Sequence, residues 1–191
     1  MNAESQTTRT RNSTATRTRI LESARAKFAR DNYDNVGIRD IAASAGVDSA
    51  LICRYFGSKE ELFATVLGSA ESKMDMFEAG REGLARRAAE MLLDNAKKDS
   101  KILDLMIMLN SASSTTAGDM VRASIKKRFH DPVAELIGGP HAELRAQLFG
   151  TTCLGLAVSR TLNGDDRLSA VPREALIERI AAMLEDSLKP F

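Results

Sequence analysis

Residues 20–63 read ILESARAKFARDNYDNVGIRDIAASAGVDSALICRYFGSKEELF, and the punctuation inside this stretch decides the fold. Ile20, Leu21, Ala24, Phe28 and Ala29 recur at helical spacing in a run that begins at Thr16. The run stops at Asp31-Asn32-Tyr33-Asp34-Asn35, a cluster that disfavours helix. A second, short helix over 38–45 enters through Gly37 and closes at Gly46, which adopts a left-handed cap at little cost. A third helix over 48–55 opens with Asp48 as a capping residue and ends at Phe56-Gly57. Two short helices joined by a tight, Gly-containing turn make a helix-turn-helix. Ser58-Lys59-Glu60-Glu61 then reads as a capping box, which starts a long amphipathic helix through Leu62, Phe63, Val66, Leu67, Met74 and Phe77 toward Gly80.

Upstream, residues 1–15 are Thr, Ser, Asn and Arg with little to bury, so a flexible basic arm is expected there, carrying Arg9 and Arg11. Downstream, helical periodicity recurs over about 82–97, 100–113, 117–137, 141–163 and 173–188. Turn-forming clusters separate these runs at 97–100, 113–116, 138–140 and 163–166, and no period-two alternation or internal repeat appears. The fold class expected is all-α: a three-helix, helix-turn-helix DNA-binding head over 16–62 and a helical body over 63–191.

Charge and composition narrow the function. Residues 1–60 hold ten Lys or Arg against seven Asp or Glu, while the whole chain carries a net charge of +1, so the head is basic and the body slightly acidic. That asymmetry hints at a polyanionic partner. Cys53 and Cys153 stand a hundred residues apart without a CxxC or His-rich neighbour, which argues against a zinc site or a disulfide framework. No apolar run suits a signal peptide or a membrane span, so a cytoplasmic protein without a membrane partner is expected. A di-iron helical enzyme would need Glu-x-x-His pairs, and neither His130 nor His141 has Glu three positions before it. With no phosphate-binding Gly loop or nucleophile elbow either, no enzyme activity and no cofactor are expected.

The chemistry lies in the head. The second helix of such a motif enters the major groove, where its side chains reach base edges while neighbouring groups grip phosphate. That assigns Asp48, Ser49, Ala50, Leu51, Arg54 and Tyr55 to the recognition helix, with Arg17 and Arg39 from the preceding helices. Lys59, at the amide-rich start of the fourth helix, marks a phosphate site. Tyr55 and Phe56 also read as packing wedges between the third and fourth helices, Lys59 as a solvated first-turn residue, and Cys53 as a buried or half-buried thiol rather than a redox sensor.

The stretch 20–63 resembles the DNA-binding head of the TetR family of regulators. The pieces that carry the resemblance are Ala24 with Phe28, Ile38-Arg39-Asp40-Ile41-Ala42, Ala45-Gly46-Val47 and Tyr55-Phe56-Gly57-Ser58-Lys59-Glu60-Glu61-Leu62. The chain departs from the family pattern at Ala50 and Cys53, where glycine and tyrosine are usual, and at Gly37, where a capping threonine is frequent and only a backbone amide remains to meet DNA. The resemblance implies that the last two long helices pair with their copies in a homodimer. Leu144, Leu148, Thr151, Thr152, Gly155 and Leu156, with Ile177, Ile180, Ala181 and Leu184, would form that seam, although the same stripes could close the protomer's own core. By the same analogy the helices between 81 and 137 surround a pocket for a small-molecule effector. Its wall candidates are Met91, Leu92, Leu103, Met106, Ile107, Ile125 and Phe129, residues that core packing explains equally well. His130 reads as a capping or surface group or a ligand contact.

The function these readings imply is a ligand-responsive regulator, a repressor that binds a palindromic site on double-stranded DNA as a dimer and is released by a small molecule. The alternative is a ligand-independent helical DNA-binding or interaction protein.

Overall fold

The ladder of the chain runs through α1 (Ala3–Phe28), α2 (Ile38–Ala45), α3 (Ser49–Phe56), α4 (Lys59–Gly68), α5 (Gly80–Leu92), α6 (Lys98–Ser111), α7 (Gly118–Ile125), α8 (Asp131–Ile137), α9 (Ala142–Asn163) and α10 (Arg173–Ser187). The computed structural model describes residues 3–68, 75–94, 98–163 and 168–191, and the side chains of residues 3–12, 75, 98–102, 163 and 169 lie outside that description. No strand occurs among the described residues, as the all-α reading requires.

Four boundaries differ from the sequence reading, one being the helix expected over about 82–97, which is α5 and ends at Leu92. The first helix begins at Ala3 rather than Thr16, so its backbone takes in residues assigned to the arm. Once a turn is held by packing at Ile20, Ala24 and Phe28, each added residue extends the ladder without a new nucleus. The fourth helix ends at Gly68; Met74 falls outside the described residues, and Phe77 sits in a 3₁₀ turn, Asp75–Ala79. The single helix expected over 117–137 is α7, a π-helical turn at Lys126–His130, and α8. The Asp131 amide donates to the Lys126 carbonyl, one residue further back than in an α-helix. Pro132 has no N–H to continue the ladder, so the register resets there.

The chain divides into two compact units. The first joins residues 1–70 to residues 103–122, so the head is completed by a segment that is remote in sequence, and the division does not fall at residue 63. Its core holds Ile20, Ala24, Phe28, Ile41, Ile52, Leu62 and Phe63, all fully buried. Phe28, Tyr33 and Phe63 form an aromatic triad with centroids 4.9 to 5.7 Å apart. Such rings add about 0.5–1.5 kcal/mol per pair beyond their burial. The returning segment is held by polar bonds: Arg25 pairs with Asp104, the Asn110 amide donates to the Ala29 carbonyl at 2.9 Å, and the Ser114 hydroxyl donates to Asp34 at 2.9 Å. Ser114 also accepts from the Ala117 amide at 2.9 Å, which caps the start of α7.

The second unit comprises residues 71–102 and 123–191. Its core is Leu84, Ala85, Ala88 and Ala89 of α5, Val133 of α8, Ala146 and Phe149 of α9, and Ile177, Ile180 and Leu184 of α10. α5 and α10 are laced at their surface by Arg81 to Glu185 at 2.7 Å and Arg86 to Glu174 at 2.5 Å. Arg145 of α9 is 4% exposed; its guanidinium donates to the Leu188 carbonyl at 2.9 Å and to the Gly138 carbonyl. These carbonyls belong to the ends of α10 and α8, whose partial negative charge a cation offsets.

Candidate nucleic-acid interface

The turn between α2 and α3 is built as the sequence demands. Gly46 takes a left-handed conformation (φ 63°), and the Val47 amide reaches back to the Ala42 carbonyl at 3.0 Å, closing the C-terminus of α2. Asp48 then caps α3, its carboxylate accepting from the Ala50 amide at 2.7 Å. That bond gives Asp48 a structural role at the place where the sequence suggested a DNA contact.

The eight residues of α3 sort by exposure. Ile52 and Phe56 are buried; Ser49, Leu51 and Tyr55 are half-buried; Ala50, Cys53 and Arg54 are exposed. The exposed three fall at helical spacing on one face. Phe56 is therefore a core wedge, while Tyr55 lies at the margin of the outward face. Cys53 is exposed, which corrects the buried or half-buried reading: its position one turn from Ala50 follows the outward face, not the Ile52–Phe56 face.

Around α3 the cations are held in place. The Arg17 guanidinium sits 4.9 Å from the Phe56 ring centroid, and the Lys59 ammonium 4.1 Å from that of Tyr33. Partial burial pulls the Lys59 ammonium below its ordinary pKa against the opposing pull of Asp34 and Glu60. Tyr33 donates to Glu60 at 3.0 Å, and burial together with that carboxylate raises the phenol pKa. Arg39 is exposed on α2. Tyr33 and Glu60, read from the sequence only as parts of a helix-breaking cluster and a capping box, thus fix where Lys59 points; neither position carried a signal linking it to the site.

Two local expectations change. The Gly37 amide, expected to face DNA, donates to the Asp40 carboxylate at 3.2 Å. At the start of α4, the Ser58 hydroxyl accepts from the Glu61 amide at 3.1 Å as a capping box requires, but the Ser58 amide donates to the Phe56 carbonyl at 3.1 Å. The Glu61 carboxylate folds instead against Gly57, filling the space a Cβ there would need, and the Gly57 φ of 80° is itself one that favours glycine. The Glu60 carboxylate is held below the usual range first by its own backbone amide and then by the Tyr33 hydroxyl. At this helix end the amides of Ser58 and Glu61 are bonded within the chain, and the Lys59 ammonium stands among the Asp34 and Glu60 carboxylates.

The body residues separate. Leu103, Met106 and Ile107 belong to the first unit, where Ile107 is buried and Met106 is 37% exposed. Met91, Leu92 and Phe129 pack against the core of the second unit, to which half-buried Ile125 also belongs. His130 is half-buried beside Phe129 and against Gly150, and burial lowers its pKa. Of the seam candidates, Ile177, Ile180 and Leu184 lie inside the protomer's core, with Ala181 and Leu156 packed on it. Their stripe meets α5, because a periodic pattern specifies burial without specifying the partner. Leu144, Leu148, Thr151 and Gly155 of α9 are exposed, as is Met183 of α10, and Thr152 is half-buried. No group of His, Cys, Asp and Glu among the described residues could hold a metal ion, and none of the described helices is long and apolar enough to cross a membrane.

Known proteins resemble this chain in sequence or in fold. The HTH-type transcriptional repressor SCO4008 of Streptomyces coelicolor is 48% identical over 60 residues, which make up 31% of this chain and 30% of that protein's length. The native crystal structure of NalD, the secondary repressor of the MexAB-OprM multidrug efflux pump in Pseudomonas aeruginosa, superposes with a TM-score of 0.69 at 19% identity, covering 92% of this chain and 97% of that one. A transcriptional regulator from Rhodococcus does so with a TM-score of 0.63 at 23% identity, covering 90% and 95%. At these identities the two structures establish the fold alone. The profile described as "Bacterial regulatory proteins, tetR family" matches residues 20–66, and that described as "Tetracyclin repressor-like, C-terminal domain" matches residues 82–188, more than half of the chain. The chain belongs to the tetR family of bacterial regulatory proteins.

Proposed function

We propose that this protein is a repressor that binds a palindromic operator as a homodimer and is released by a small-molecule effector. The observation that carries the reading is the outward face of α3, where Ala50, Cys53 and Arg54 stand exposed beside a helix-turn-helix turn, with Arg39 exposed on α2 and Arg17 and Lys59 set close by. Arg9 and Arg11 of the N-terminal arm add phosphate contacts. Exposed Leu144, Leu148, Thr151 and Gly155 on α9 are the surface through which two copies pair, and twofold symmetry then presents two heads to two half-sites.

Effector response is supported by the segment 103–122. It carries Leu103, Met106 and Ile107, three of the wall candidates, and it bonds directly to the end of α1 and to Asp34. An effector that moves this segment therefore moves the head, by as much as it favours one position over the other.

The test is selection of bound fragments from random duplexes by the purified protein, with sedimentation of the free and DNA-bound forms. A palindromic consensus bound by a dimer is the expected result; enrichment of no sequence would refute the reading. Retention of the operator in the presence of every compound in a broad small-molecule panel would favour the ligand-independent alternative.

A further inference from the structure

We infer that the half-site read by α3 is defined by one guanine, contacted by Arg54, beside thymine methyl groups packed by Ala50 and Cys53. This rests on the operator-binding reading and specifies the base chemistry it uses.

The inference comes from an inventory of what α3 can offer a groove. Its sequence, SALICRYF, contains no Asn or Gln, so the bidentate pairing that selects adenine is not available from this helix. Asp48, which could accept from the cytosine amine, is held as the N-cap of α3 by the Ala50 amide at 2.7 Å, which fixes one of its oxygens against its own helix start. The Ser49 hydroxyl bonds base edges and phosphates alike and discriminates little. Ile52 and Phe56 are committed to the core.

The Arg54 side chain, exposed and without a hydrogen bond or ion pair among the described residues, is then the one fork of donors on the outward face. The neighbouring cations are engaged: Arg17 over Phe56, Lys59 over Tyr33 and Arg25 with Asp104. Arg39 lies on the helix that crosses the backbone in this motif, where phosphate is the partner. A guanidinium fork matches O6 and N7 of guanine, the commonest specific contact in the major groove. Ala50 lies four residues before Arg54 and Cys53 next to it, and both present small apolar surfaces. A thiol of this kind behaves as a small hydrophobe, suited to the thymine C5-methyl.

The experiment repeats the random-duplex selection with the full chain and with Arg54→Ala, then measures affinity for the selected site with its guanine replaced by adenine or by 7-deazaguanine. Circular dichroism confirms that the exposed substitution leaves the fold intact. The expected wild-type consensus has one dominant guanine per half-site next to thymine. Replacing that guanine weakens wild-type binding about 5- to 150-fold, the range of a good bidentate pair, and leaves Arg54→Ala binding unchanged. A wild-type consensus without guanine, or an Arg54→Ala variant that keeps the same consensus at uniformly lower affinity, overturns the inference while leaving the protein an operator binder. Enrichment of no duplex by the wild type overturns the operator-binding reading itself.

Discussion

Asn110 donates its side-chain amide to the main-chain carbonyl of Ala29 at 2.9 Å, tying positions 81 residues apart. Ala29 follows the last residue of α1, where carbonyls have lost their helical donors. One turn further on, Ser114 both donates to Asp34 and accepts from the Ala117 amide. Ser114 is 5% exposed, so its removal leaves a buried amide unpaired. Ser114→Ala is therefore expected to lower stability by about 1–3 kcal/mol, and Asn110→Ala by about 0.5–1.5 kcal/mol. Urea unfolding monitored by circular dichroism measures both; an unchanged midpoint for Ser114→Ala would show that water replaces the hydroxyl.

Lys59→Ala separates anchoring from base reading. A phosphate contact carries no sequence information, so the variant should bind all duplexes more weakly by a common factor and lower the salt slope by about one. Since the ammonium also lies over Tyr33, stability should fall by about 0.5–1 kcal/mol. Affinity measured from low to high salt on several duplexes is the check, and a changed order of preference among them would place Lys59 at a base.

The two α9 glycines should behave in opposite ways. A methyl at Gly150 would come 2.9 Å from the Phe129 ring and 3.0 Å from the His130 imidazole, whereas one at Gly155 meets nothing within 4 Å. Gly150→Ala should cost about 1–3 kcal/mol through overpacking. Gly155→Arg should fold normally, sediment as a monomer and lose most operator affinity, because each head alone then holds one half-site. A Gly155→Arg dimer with normal operator binding would move the pairing surface elsewhere.

His130 gives a pH dependence whose sign follows from its burial. Its pKa in the folded chain lies below the ordinary 6.5, chiefly through desolvation, with Lys126 also lowering it and Asp131 opposing. Above the unfolded value near 6.5 both states carry a neutral ring and this contribution is complete. As pH falls from there toward the lower folded value, only the unfolded chain takes up the proton, and stability is lost across that window. Urea midpoints between pH 7.5 and the acid range should show the decline in the wild type and a shallower one in His130→Gln.

The cysteines should differ in reactivity. Burial pushes the Cys153 thiol up to about 12, so almost no thiolate exists near neutrality, while Cys53 is exposed. Iodoacetamide followed by mass spectrometry should modify Cys53 first in the native protein, and operator DNA should slow that reaction. Equal rates at both positions would show that the second unit opens around Cys153.

Much of the head was legible because its signals are local. Gly46, Asp48 and Ser58 mark helix ends through bonds to residues two to four positions away, and such patterns survive in a linear sequence. The place of residues 103–122 was not legible: Asn110 and Ser114 act through one carbonyl and one carboxylate about eighty positions distant, with no periodic trace. The π turn escaped notice because Ile125, Phe129 and Val133 keep a spacing of four that an unbroken helix would also show. At α10, the pattern Ile177, Ile180, Leu184 announced a buried stripe, but whether α5 or a second copy buries it is a fact of the tertiary fold. Exposure of Cys53 and the seating of Lys59 on Tyr33 needed coordinates for the same reason.

The interrupted layout of the first unit has a consequence for biosynthesis. Residues 1–70 leave the ribosome well before residues 103–122, which supply the bonds to the Ala29 carbonyl, the Asp34 carboxylate and the Arg25 guanidinium described above. At about 5–20 residues per second, roughly 3–10 s of translation separate the two segments. During that interval the nascent head waits in an incomplete form, and the first unit is complete only once residues 103–122 have been made.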